Sequence, residues 1–146
     1  MEIAALVVWL ITAAGGFVLL GTWIAKGGHR PGVGSPSRFP PGLVFGHFLL
    51  AAVGLVLWII YVATDSDSLT WVAFGVVLVA ALGGFALLSR WLPQVRGRTG
   101  AAGGTTYATG DTTATAESQF PVPVVVLHGV LAATTLVLVL LAALSG

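Results

Sequence analysis

Four stretches of the chain, Ile3 to Ala25, Leu43 to Ala63, Trp71 to Leu92 and Pro123 to Leu144, are each long and apolar enough to cross a hydrocarbon core. Crossing takes roughly 20 residues at 1.5 Å rise each. In lipid every backbone N–H and C=O needs an internal partner, so a spanning segment is a helix or a strand of a closed barrel. These runs are continuous and lack the polar alternation of barrel strands, so the sequence predicts an all-α polytopic membrane protein with four transmembrane helices. With 57% hydrophobic and 8% charged residues, a soluble globule is excluded. One domain over 1–146 is expected. The first run has Glu2 and no basic residue before it, and no small-x-small cleavage pattern follows, so it reads as an anchored helix and not a secretory signal.

The few charges are unevenly placed. Lys26, Arg30, Arg38, Arg90, Arg96 and Arg98 lie at the ends of spans one and three or in the loops that follow, 26–42 and 93–122. The positive-inside bias puts those loops in the cytoplasm and both termini outside, in a plasma membrane. Trp23 and Trp91 at the inner ends and Trp71 at an outer end are expected as interface anchors. A net charge of +1 excludes a nucleic-acid footprint. The absence of cysteine excludes Cys-ligated iron–sulfur clusters, thiolate zinc and c-type haem. The 93–119 segment, rich in Gly, Thr and Ala, reads as a solvated linker, and Gly97-Arg98-Thr99-Gly100 has no strand-to-helix context that would make it a phosphate loop.

Two stretches of the chain recur later in it. At an offset of 81, Phe39-Pro40, Val44, His47, Leu50-Ala51-Ala52 and Leu55-Val56-Leu57 match residues 120–138 with ten identities in nineteen positions. At an offset of 68, Leu10, Ala13, Gly15-Gly16-Phe17, Leu19-Leu20 and Trp23 match residues 78–91 with eight identities in fourteen. The chain thus reads as a tandem duplication of a helical hairpin, repeat 1 over 3–63 and repeat 2 over 71–144. Parallel copies imply a pseudo-two-fold axis along the membrane normal.

The acidic residues Glu2, Asp65, Asp67, Asp111 and Glu117 are terminal or in loops, which removes the intramembrane carboxylates of proton-coupled transport. Ser89 and Ser145, read as helix-end residues, have no base or acid nearby, so catalytic triads lack candidates. His29, in a loop and without a repeat counterpart, is expected in solvent. What remains is His47 and His128, equivalent by the duplication and at matching depth. Helical spacing puts Ala51 and Gly54 on the face of His47, and Ala132 and Thr135 on that of His128, leaving a slot below each ring. Gly15-Gly16 and Gly83-Gly84 would let spans one and three approach a flat ligand or each other.

In this bundle and histidine pair the sequence resembles the four-helix membrane cytochromes b. The resemblance implies haem b with His47 and His128 as axial ligands, lined by Ala51, Gly54, Ala132 and Thr135, with Arg38 or Arg90 near the propionates and Arg30 further off. It implies electron transfer with a quinone or a larger respiratory membrane complex. Two other readings stay open. The histidines could be structural or interfacial, making the chain a non-catalytic accessory or assembly subunit, or the repeat could form a small transporter. An electron-transfer or accessory subunit is expected ahead of a stand-alone enzyme.

Overall fold

The computed structural model describes residues 1–30, 37–64, 66–101 and 115–145. They form α1 (Glu2–Ala25), α2 (Pro41–Thr64), α3 (Asp67–Ala101) and α4 (Val122–Ser145), with one 3-10 turn at Glu117–Gln119 leading into α4. Among the described residues, four helices are long and apolar enough to span a membrane. The N-termini of α2 and α4 are built alike: the Pro40 carbonyl accepts from the amides of Leu43 and Val44, and the Pro121 carbonyl from those of Val124 and Val125. A proline just before the first turn sacrifices no helical bond and presets the entry angle. α1 ends where Gly27 takes φ 76° and the Gly28 amide returns to the Trp23 carbonyl, a left-handed C-terminal cap that only glycine adopts without strain.

The helices pair most closely as α1 with α4 and α2 with α3. Lipid is as apolar as leucine, so helices in a bilayer associate through close packing and polar contacts more than by expelling water. The outward surface accordingly keeps its large side chains exposed, Phe85 at 70% and Leu82 at 62% among them. Two interior clusters hold the bundle. One, at the end bearing both termini, joins Trp9, Trp58, Tyr61, Val77 and Val139. There the indole of Trp58 donates to the Glu2 carbonyl at 3.3 Å and the Tyr61 hydroxyl to the Glu2 carboxylate at 3.4 Å. The other, at the basic end, joins Trp23, Phe39, Val44, Trp91 and Ala116.

Three sequence expectations are corrected. Span three does not stop at Leu92: α3 runs through Pro93 to Ala101, taking in Ser89 and residues 97–100. A proline forfeits one i→i−4 bond, and here Val95, beyond it, packs against the basic-end cluster. Trp23 and Trp91 are not interface anchors but core residues, 1% and 4% exposed. Their indoles turn inward to the segments that return towards the next helix, Trp23 donating to Ser37 Oγ at 2.8 Å and Trp91 to the Glu117 carbonyl at 3.1 Å. Finally, the end of the expected linker, 115–119, is folded onto the bundle. Asp65, Asp111 and the 102–114 part of the linker lie outside the described residues.

Candidate functional site

His47 lies in α2 and His128 in α4, each directed at a helix of the other repeat. The Nδ1 of His47 meets the Ala80 carbonyl of α3 at 2.8 Å, and that of His128 meets the Thr12 carbonyl of α1 at 2.9 Å. A carbonyl only accepts, so each ring carries a proton on Nδ1. Neither Nε2 has a hydrogen-bond partner among the described residues. Each ring also rests on a glycine pair. The ring of His128 lies against Gly15 and Gly16, and that of His47 against Gly83 and Gly84. The glycine pairs therefore serve as seats for the imidazoles and do not bring spans one and three together. Thr12 and Ala80, and the two glycine pairs, are counterparts at the offset of 68. The same clamp is thus made twice.

The two ring centres are 6.4 Å apart with planes at 81°. As protein packing, this is an edge-to-face aromatic pair, a favoured arrangement at such distances. The spacing also suits a shared metal: metal–imidazole bonds of about 2 Å, with ~1.1 Å from ring centre to Nε2, separate two ligand centres by about 6 Å.

Burial is interrupted around these rings. α1 has no buried residue between Thr12 and Trp23, α2 none between Val44 and Gly54, α3 none between Ala80 and Trp91, and α4 none before Thr135. The interval in α1 corresponds to about 16 Å of helix. His47, His128, Ala51, Ala132 and all four seat glycines fall in this half-buried layer between the two clusters.

Gly54 lies below the layer, facing Trp9: a Cβ there would sit 3.1 Å from the indole Cη2. Thr135 is buried, donates to the Leu131 carbonyl at 2.9 Å and lies 3.5 Å from the Thr12 hydroxyl. Both face protein side chains. The side chains of Arg38 and Arg90 are exposed at the basic end, as is His29. Above the layer Phe39 and Phe120, another pair of repeat counterparts, meet edge to face at 6.1 Å.

The residue missed by sequence reasoning is Glu117. Placed with the loops, it is 0% exposed. Its Oε1 accepts from the Arg38 amide at 2.7 Å and from Gln94 Nε2 at 3.2 Å, while Thr115 donates to Gln94 Oε1 at 2.6 Å. Its Oε2 is buried without a partner among the described residues. One side chain thus ties the segment before α2, the segment before α4 and the extension of α3. No spacing signal marked it: at the offset of 81 its counterpart is Pro36.

Among the described residues no cluster of three or more His, Cys, Asp or Glu is placed to hold a metal ion. Compared with known proteins, the chain matches no family model, and neither a curated protein nor a solved structure shows significant similarity to it.

Proposed function

We propose that the chain is a non-catalytic subunit that stabilises or assembles a larger membrane complex, held in the bilayer with its basic loops in the cytoplasm and both termini outside. The observation that carries this reading is on α2. Gly42 and Gly46, one turn apart, face away from the bundle, and among the described residues nothing lies within 4 Å of where a Cβ would stand. Small residues at this spacing admit the backbone of another helix. In this reading the histidines are clips that lock α2 to α3 and α4 to α1, copied by duplication, and the rigid bundle presents its apolar exterior to a partner. Purification from the native membrane in mild detergent tests it. The chain is expected to travel with a partner, and Gly42→Ile with Gly46→Ile is expected to release it without unfolding the bundle. A single-copy chain in every mild detergent, with the double variant behaving identically, would overturn the reading.

The half-buried histidine layer favours a second, more specific reading: one haem b held between His47 and His128, making the chain an electron-transfer subunit with a quinone or a respiratory assembly as redox partner. The residues fit such a group. Both Nδ1 atoms are anchored by carbonyls, the outer-sphere support that axial imidazoles require, and both Nε2 lone pairs are uncommitted. The rings are spaced for one iron, and Ala51, Ala132 and the seat glycines leave the layer free of bulk. Haem would supply one-electron redox chemistry. This chain would hold the iron, keep the layer apolar, and offer Arg38 and Arg90 at the basic end to the propionates. A visible spectrum separates the two readings. Haem binding is expected to give sharp reduced α and Soret bands that are lost in His47→Ala and in His128→Ala. A colourless folded protein from haem-replete cells would leave the subunit reading alone.

A further inference from the structure

The two repeats differ along one seam. In the first, α2 sends two phenylalanines, one turn apart, onto α1: Phe45 meets Trp23 edge to face with ring centres 5.9 Å apart, and Phe48 meets Phe17 at 5.6 Å. Such edge-to-face pairs are a favoured aromatic contact, and these two bridge α1 to α2. The second repeat keeps the α3 half of both pairs, Phe85 and Trp91, at the offset of 68. It lacks the other half. At the offset of 81, Phe45 and Phe48 become Val126 and Gly129. α3 and α4 close up on these smaller side chains and pack more closely than α1 and α2 do, but the outer side of their seam stays unfilled. Phe85 is 70% exposed and Val126 55%, and among the described residues nothing lies within 4 Å of where a Cβ on Gly129 would stand. Neither Phe85 nor Trp91 meets another aromatic ring among the described residues. One residue beyond Gly129 a shallow depression begins on α4, lined by Val130, Ala133, Thr134, Val137 and Leu138.

We propose that the notch over Gly129 docks a transmembrane helix of a different subunit, one that sets an aromatic side chain against Phe85 where the first repeat sets its own Phe48. This rests on the subunit reading above and adds a second contact to that of Gly42 and Gly46. The chain itself shows what the position takes: the corresponding place on α2 is held by a phenyl ring, packed on the phenylalanine equivalent to Phe85. An acyl chain offers no ring edge to Phe85 and gives up rotational freedom on being confined in a recess. A helix brings its ring on a backbone already ordered. Helices in a bilayer associate through close packing, so a recess beside a protruding ring gives a partner more contact than a smooth apolar face does. Gly129 and Ala133, one turn apart, keep the floor low enough for its backbone to approach.

Photo-cross-linking of the full-length chain in its native membrane tests the proposal, with a benzophenone amino acid placed at position 85 or, as the control, at position 17. Position 85 is expected to join a transmembrane segment of another polypeptide, at or beside an aromatic residue located by mass spectrometry, in roughly tenfold higher yield than position 17. Gly129→Phe supplies the missing ring from within. It is expected to cut the adduct about tenfold and to raise the unfolding midpoint of the bundle in detergent. Equal yields from the two positions, lipid as the sole product at 85, or an adduct that survives Gly129→Phe overturns the proposal. An adduct with a second copy of this chain overturns the choice of a different subunit, and one with a segment free of aromatic residues overturns the aromatic contact. Should Gly129→Phe fail to fold, the comparison of positions 85 and 17 still decides. A chain that purifies with a partner released by the Gly42→Ile, Gly46→Ile variant, yet gives no protein adduct from position 85, overturns this placement alone. A chain that purifies as a single copy and gives no protein adduct overturns the subunit reading itself.

Discussion

Gly28→Ala is expected to destabilise the bundle by about 3 kcal/mol, approaching the cost of losing a buried tryptophan. A methyl group at position 28 would overlap Nε1, Cδ1 and Cε2 of the Trp23 indole. The ring cannot step aside cheaply. It is 1% exposed, its Nε1–H is committed to Ser37 Oγ, and it packs edge to face on Phe45 at 5.9 Å. The substitution therefore expels Trp23 or breaks the cap of α1. Denaturation in detergent micelles, followed by tryptophan emission, would show an earlier midpoint and a red-shifted native spectrum. Gly21→Ala is the control, since nothing lies within 4 Å of that Cβ, and it is expected to be neutral or slightly stabilising through helix propensity. Equal midpoints for Gly28→Ala and the wild type would show that Trp23 is not held as described.

Glu117→Ala is expected to cost about 2 kcal/mol. Truncation leaves the Arg38 amide without its acceptor, while Gln94 Nε2 loses one bond and keeps that to the Arg90 carbonyl at 3.2 Å; a stranded donor costs about 1–3 kcal/mol when desolvated. Removing the unpartnered Oε2 returns part of this. Glu117→Gln retains a carbonyl oxygen for both donors and is expected to stay within about 1 kcal/mol of the wild type. Hydrogen exchange at residues 37–39 and 115–120 would localise the effect: the alanine variant should lose protection in both segments together, because one carboxylate ties them. Loss confined to one segment would contradict that tie.

The spans were legible because the cost of unpaired backbone in lipid leaves a long apolar run few alternatives. The observed helices begin and end within a few residues of the hydropathy limits, except in α3. Its extension was hidden because Pro93 reads as a stop in a sequence window, while the packing of Val95 just beyond it is against a cluster that draws Trp23, Phe39 and Val44 from outside that window. The histidines and glycine pairs were visible through self-comparison, and the structure brings them into contact; that the glycines seat the rings, instead of joining the helices, depends on which helices pair. The burial of Trp23 and Trp91 was not legible. An indole is as suited to an interface as to a core, and the choice was made by the segments that fold back over them. Glu117 was the least legible of all. Its burial comes from contacts with Arg38 and Gln94, 79 and 23 residues away in the chain, and no periodicity connects them.

The pairing of α1 with α4 and of α2 with α3 also bears on how the chain is made. A nascent chain entering the bilayer one segment at a time delivers α1 first, yet the imidazole that occupies its glycine seat arrives last. Until then Gly15, Gly16 and the Thr12 carbonyl must wait beside lipid or the insertion machinery, whereas His47 meets α3 as soon as that segment follows α2. The ring of helices closes only with the final span, so a polypeptide released before α4 would carry an open flank, a mark by which membrane quality control could distinguish unfinished from finished molecules.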